Sequence, residues 1–124
     1  MRIGAIQVGN ILKAVEAFED RIYVLKRIPE SVLQNKETPF VQVHGLPVTE
    51  NYYSGNKKHG EITSAQITVY VQTNREAEQF LTQIEALLSA HEFECSFFEV
   101  NPNYEYSFVV LTMRFNKYQK VREK

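Results

Sequence analysis

SAQITVYVQTNREAEQFLTQIEALLSAH, residues 64–91, changes its hydrophobic period partway along. From Ser64 to Thr73, β-branched and aromatic residues alternate with polar ones at the period of two that marks a strand. Beyond that point the repeat lengthens, and Ala77, Phe80, Leu81, Ile84, Leu87 and Leu88 recur at the spacing that keeps them on one stripe of an α-helix. Asn74 is a residue type that caps a helix start, and Glu76 and Glu78 lie near the positive end of the helix dipole. A strand that runs into an amphipathic helix predicts a sheet covered by helices, and the flanking segments must supply the other strands.

Period-two runs occupy residues 21–28 (RIYVLKRI), 39–46 (PFVQVHGL), 93–100 (FECSFFEV) and 104–118 (YEYSFVVLTMRFNKY), which with 64–73 makes five strands. Ahead of them, Val8, Ile11, Leu12, Val15 and Phe18 share one face of an N-terminal helix. NPN at 101–103 reads as the tight turn that joins the last two strands in a hairpin. The order is α-β-β-β-α-β-β: an α+β single domain with an antiparallel or mixed sheet of about five strands and two helices on one face. The domain is expected to cover residues 1–118. The basic tail, 119–124, has no apolar period and is expected to be a flexible end.

The bulk properties fit this scale. A chain of 124 residues suits a single core, and 44% hydrophobic with 23% charged residues is an ordinary globular composition. The formal net charge of −1 gives no global positive field to hold a polyanion, so any nucleic-acid contact has to come from a local patch. Cys95 is the only cysteine, which excludes an intramolecular disulfide and suits a reduced compartment. Residues 1–20 carry neither a long apolar run nor a small-residue cleavage site, so neither a signal peptide nor a membrane span is expected.

Catalytic chemistry finds little support. His44, His59 and His91 fall in a strand, a loop and a helix end, without a second ligand type at metal-binding spacing. Nothing near Cys95 lowers its pKa visibly, and Phe93, Phe97 and Phe98 around it point toward burial as a core thiol. The acid pairs Glu76 with Glu78 and Glu16 with Asp20 lie on helix surfaces, where carboxylates solvate rather than catalyse. No GxSxG, Walker or GxGxxG motif occurs. The expectation is a protein that is not an enzyme, with no metal and no cofactor.

Two features point instead to partners. ENYYSGNKKHGEIT, residues 50–63, feeds a strand rather than a helix N-terminus, so it is not a phosphate cradle but a long connection with turn residues. Tyr52 and Tyr53 supply amphipathic area, and Asn56, Lys57, Lys58 and His59 supply polar and basic groups, which makes this a candidate partner-contact loop. In the last strand, Val109, Leu111, Met113 and Phe115 occupy one side while Tyr106, Phe108 and Val110 occupy the other. Two helices cover only one face, so Tyr106, Phe108 and Val110 are candidates for a subunit interface. The alternative is that a long hairpin folds over them within the monomer.

IYVLKRIPESVLQN, TPFVQVHGLP, YYSGNKK, SAQITVYVQTN, the Leu-rich helix and YSFVVLTMRFNK together resemble a family of small proteins encoded among the tail genes of siphophages and prophages of Gram-positive bacteria. The resemblance spans residues 5–118 and includes no catalytic signature. Such proteins are similar to tail terminators, or tail completion proteins, such as that of phage lambda. The resemblance implies an α/β subunit of a homo-oligomeric six-fold ring that stops polymerisation of the tail tube protein and offers a joining surface to the head-tail connector. It also implies a place at the head-proximal end of the virion tail, after synthesis in the host cytoplasm, with no membrane and at most weak, non-specific DNA contact in the lumen. Three other readings stay open: a head completion or stopper protein on the connector side, a small nucleic-acid-binding regulatory domain using Lys57, Lys58 and the basic tail, and an enzyme of unfamiliar type, which only a ligand in a polar pocket would revive.

Overall fold

A computed structural model of the chain describes residues 3–46, 51–54 and 57–120, with 51–54, 57–61 and 119–120 described through their backbone pairing. It is a single α+β domain. The elements in order are α1 (Gly4–Leu12), a 3-10 turn (Glu16–Phe18), β1 (Ile22–Val24), α2 (Glu30–Gln34), β2 (Phe40–Gly45), β3 (Asn51–Ser54), β4 (Lys57–Val71), α3 (Asn74–Ser89), β5 (Glu94–Asn103) and β6 (Phe108–Lys120). The sheet is mixed, ordered β1-β2-β4-β6-β5, with β3 pairing a separate stretch of β4. Among the described strands, only β1 with β2 is parallel.

Register puts the core on one face. Val41 stands opposite Val69, and Val43 opposite Ile67. Val69 in turn faces Leu111, Ile67 faces Met113 and Ala65 faces Phe115. Since side chains alternate along a strand, all of these point the same way, onto Ala5, Val8 and Leu12 of α1 and Ala77, Phe80, Ile84 and Leu88 of α3. Phe18, fully buried, stacks on Phe80 with ring centroids 5.2 Å apart and so ties the 3-10 turn to α3.

Several local expectations are corrected. The N-terminal helix ends at Leu12, where Val15 takes an extended conformation before the 3-10 turn; Val15 and Phe18 are buried as their spacing implies, but spacing alone does not separate one continuous helix from a broken one. The cap of α3 is Thr73 rather than Asn74: its Oγ1 accepts from the Glu76 backbone N–H at 3.2 Å and donates to the Glu76 carboxylate at 3.3 Å. Residues 101–103 belong to β5, paired with Val110, Val109 and Phe108, and the chain turns over 104–107 instead, with Ser107 at φ 60°. Gln119 and Lys120, expected in the flexible tail, extend β6 and pair with Glu61 and Gly60; residues 121–124 lie outside the described residues.

The second sheet face also differs from expectation. The five-residue helix α2 covers one end of it, with Val32 and Leu33 packing on Phe40, Tyr70, Phe108 and Val110. Phe40 stacks on Tyr70 at 4.7 Å and meets Phe108 edge-on at 5.5 Å. Phe108 is only 2% exposed, so it is buried by its own chain and offers no surface to another subunit. The next rows of this face are polar: Gln42, Thr68 and Thr112, then His44, Gln66 and Arg114, then Ser64 and Asn116. Ser64 Oγ donates to Asn116 Oδ1 at 2.6 Å and Arg114 Nε to Gln66 Oε1 at 3.0 Å, so these side chains satisfy one another and need no apolar cover.

The packing sets a stability contrast. Ile84→Ala and Leu88→Ala, at fully buried positions, are each expected to cost about 2–5 kcal/mol, and Gln83→Ala less than about 0.5 kcal/mol, in urea or thermal melts. Gly4 is a second probe, because a Cβ there would lie 2.5 Å from the Ser64 backbone oxygen. Gly4→Ala is expected to lower stability by about 1–3 kcal/mol, whereas Gly45→Ala, whose new methyl would meet nothing nearer than 3.9 Å, should leave it unchanged or raise it slightly.

Candidate functional site

The candidate contact loop is mostly strand. Asn51 to Ser54 form β3 and pair back onto Lys57 to Glu61 of β4, with Tyr52 opposite Gly60, Tyr53 opposite Lys58 and Ser54 opposite Lys57. A register shift falls between Tyr52 and Tyr53. Lys57, Lys58 and His59 are thus strand positions rather than loop positions, and Asn56 lies outside the described residues. On the other edge of β4, Gly60 pairs with Lys120 and Thr63 with Lys117, so two lysine-bearing segments distant in sequence come to one end of the sheet. Pairing of β2 with β4 stops at Ala65 and that of β5 with β6 at Asn116; past those rows only β3, β4 and β6 continue, as a ribbon.

The other candidate residues gather around α2. Tyr106, half-buried, donates from its hydroxyl to Glu30 Oε1 at 2.7 Å, while its backbone N–H donates to Asn103 Oδ1 at 3.2 Å. The hydrogen bond to Glu30 is the main reason its phenol is pushed up to about 12, with desolvation and the Glu30 and Glu105 charges adding to it. Val110 is half-buried in the same cluster beside the buried Phe108. Arg27, Glu30, Gln42, Tyr70, Glu105 and Tyr106 border a shallow polar cleft there. Burial also raises the Tyr70 phenol, and raises Tyr23 together with the Asp20 and Glu37 charges. These shifts hold the phenols protonated, which does not prepare a nucleophile or a base.

Cys95 is similar. Its thiol is half-buried and pushed up chiefly by desolvation, so the thiolate that a nucleophile requires is disfavoured. Among the described residues no group of His, Cys, Asp and Glu is placed to hold a metal ion, and no helix is long and apolar enough to cross a membrane.

Sequence reasoning missed the character of the two sheet edges. Phe93 is buried as expected, but Phe97, Phe98 and Val100 on the edge strand β5 are 38%, 56% and 39% exposed. Two successive phenylalanines cannot both face one core, which was a signal in the sequence; that β5 lies at an edge was not, since strand order is set by tertiary pairing. At the opposite edge, Leu25 follows β1 with its side chain 55% exposed and its backbone at φ 55°, a left-handed conformation unusual for a branched residue. No family model matches the chain, and no curated protein matches it.

The Tyr106–Glu30 contact gives a pH prediction. The phenol is raised in the folded state above its ordinary value of 10, so its stabilising contribution is complete below pH 10 and is lost as the pH rises toward about 12. In absorbance titrations of phenolate, with Tyr106→Phe as the reference, Glu30→Ala should bring this group back toward 10.

Proposed function

We propose that this chain is a structural virion protein: a phage tail terminator whose subunits form a ring on the end of the tail tube, stop its growth and present the joining surface to the head connector. The observation that carries the reading is the β3-β4-β6 ribbon. It continues beyond the rows where β2 and β5 pair, and it is therefore free to reach a neighbouring component while the helices and the sheet beneath them stay packed. The positions at its end are those of Tyr52, Tyr53, Lys57, Lys58 and His59, the aromatic and basic types suited to a contact with tube or connector.

Three further features support this reading. Among the described residues the sheet is open at both edges, as a subunit that fits beside copies of itself requires. The tyrosine and cysteine shifts lead away from acid-base or nucleophilic chemistry, consistent with a structural rather than an enzymatic role. The near-zero net charge favours protein partners over a nucleic-acid duplex, leaving any DNA contact weak and without sequence preference.

Electron microscopy of the purified chain, alone and with its cognate tail tubes, tests the assembly: annular particles and capped tube ends are expected. A strict monomer at every concentration that leaves tube ends bare overturns the reading. Lys57→Glu combined with Lys58→Glu tests the ribbon. These positions lie beyond the packed core, so the melting midpoint should hold to within about 0.5 kcal/mol of stability while tube capping falls.

A further inference from the structure

The two open edges of the sheet match each other. β1 runs parallel to β2, and each later step across the sheet, to β4, β6 and β5, is antiparallel, so β5 runs opposite to β1. Two copies side by side in the same orientation would therefore set β5 of one against β1 of the next as an antiparallel pair, the slightly more stable arrangement per residue. A bulge between Cys95 and Phe97 shifts the register of β5 on β6, with Glu94 and Cys95 paired before it and Phe97 to Asn103 after it, and β5 has no strand on its other side among the described residues.

Shape and charge agree with this. Between α1 and β1 lies a cleft of about 520 Å³ whose floor includes Gly9, Ile22 and Val24, and Leu25 projects at its rim. Between α3 and β5 lies another, bordered by Leu81, Phe93 and Cys95, and Phe98 projects at its rim. Each edge therefore carries an apolar side chain that is more than half exposed, Phe98 or Leu25, and a cleft for its counterpart. Around β5 acids outnumber bases: Glu85, Glu92, Glu94 and Glu99 are all exposed, against Arg114 over the Phe97 ring at 4.9 Å and Lys117 over the Phe93 ring at 5.5 Å. Around β1, Lys13, Lys26 and Arg27 are exposed; Glu19 is paired with Arg21 at 3.0 Å, and Asp20 and Glu37 are the opposing acids. A symmetric pairing of β5 with β5 would set an edge with an excess of acids against itself, whereas β5 on β1 sets it against an edge with a slight excess of bases.

We propose that the β5 edge of one copy docks head-to-tail on the β1 edge of the next, with Phe98 entering the α1–β1 cleft and Leu25 entering the α3–β5 cleft. The proposal rests on the ring reading for its partner, a second copy of this chain, and adds the surfaces and the sense of the contact. A heterologous contact of this kind leaves a free edge at each end of every oligomer until the assembly closes.

The test uses Phe98→Asp and Leu25→Asp, both at side chains more than half exposed, in sedimentation over a range of concentrations with thermal melts as the folding control. Wild type should form oligomers, and each variant alone should associate at least about tenfold more weakly. Mixed one to one, the variants should form dimers and nothing larger, since Phe98→Asp keeps an intact β1 edge and Leu25→Asp an intact β5 edge. Failure of the mixture to dimerise overturns the proposal. So does normal assembly of Leu25→Asp alone, which would indicate a β5–β5 contact. If both variants assemble as wild type does, the edges are wrong while the ring reading survives; if wild type is monomeric and leaves tube ends bare, both fail. Should an aspartate variant not fold, Phe98→Ser and Leu25→Ser take the places of Phe98→Asp and Leu25→Asp in the same scheme.

Discussion

The pairing of β4 with β6, from Gly60 opposite Lys120 to Val71 opposite Val109, is the constraint on which the rest of the structure depends. It is the longest ladder, and both of its outer edges are in use: β4 pairs with β2 and β3 along its length, and β6 pairs with β5. Its register decides which face each residue of the sheet serves. A slip by one residue would turn Ile67, Val69, Leu111 and Met113 toward solvent and bring Thr68, Gln66 and Arg114 under α1 and α3. The buried apolar set and the polar rows behind it thus hold the same alignment, one by hydrophobic burial and the other by Ser64–Asn116 and Gln66–Arg114 hydrogen bonds.

Much of this was legible in the sequence, for a physical reason. α3 spans 16 residues and its stripe repeats often enough to fix both its type and its buried face. β4 and β6 alternate over long stretches, so their core-facing residues were identifiable without knowing their partners. α2 was not legible, because five residues following Pro29 are too few to show a helical period, and 21–28 read as one strand that continued up to that proline. Its absence from the sequence reading made Phe108 look uncovered. β3 was hidden in the same way: four residues rich in tyrosine and asparagine read as a contact loop, while in the structure the long β4 strand captures them.

The candidate site was legible in composition and not in geometry. Aromatic and basic residues at 52–59 were evident, but their placement on a ribbon with Lys117 and Lys120 beside them depends on a pairing between segments more than fifty residues apart. Edge character is a further step removed. Phe98 and Leu25 belong to elements at opposite ends of the sheet, and only the strand order shows that these ends carry matching features.

β6 also has a place in the order of synthesis. It lies between β4 and β5 in space but after both in the chain, so a growing polypeptide carries β4, α3 and β5 for some time before their shared neighbour is made. During that interval β5 has no strand to pair with and β4 has one whole edge bare, with Phe97, Phe98 and Val100 on the bare segment. Domain closure is therefore a late, long-range event, and the nascent chain is most open to premature strand pairing with other copies just before residues 108–120 emerge. The acidic residues flanking the two phenylalanines, Glu94 and Glu99, then act as gatekeepers in the unfinished chain.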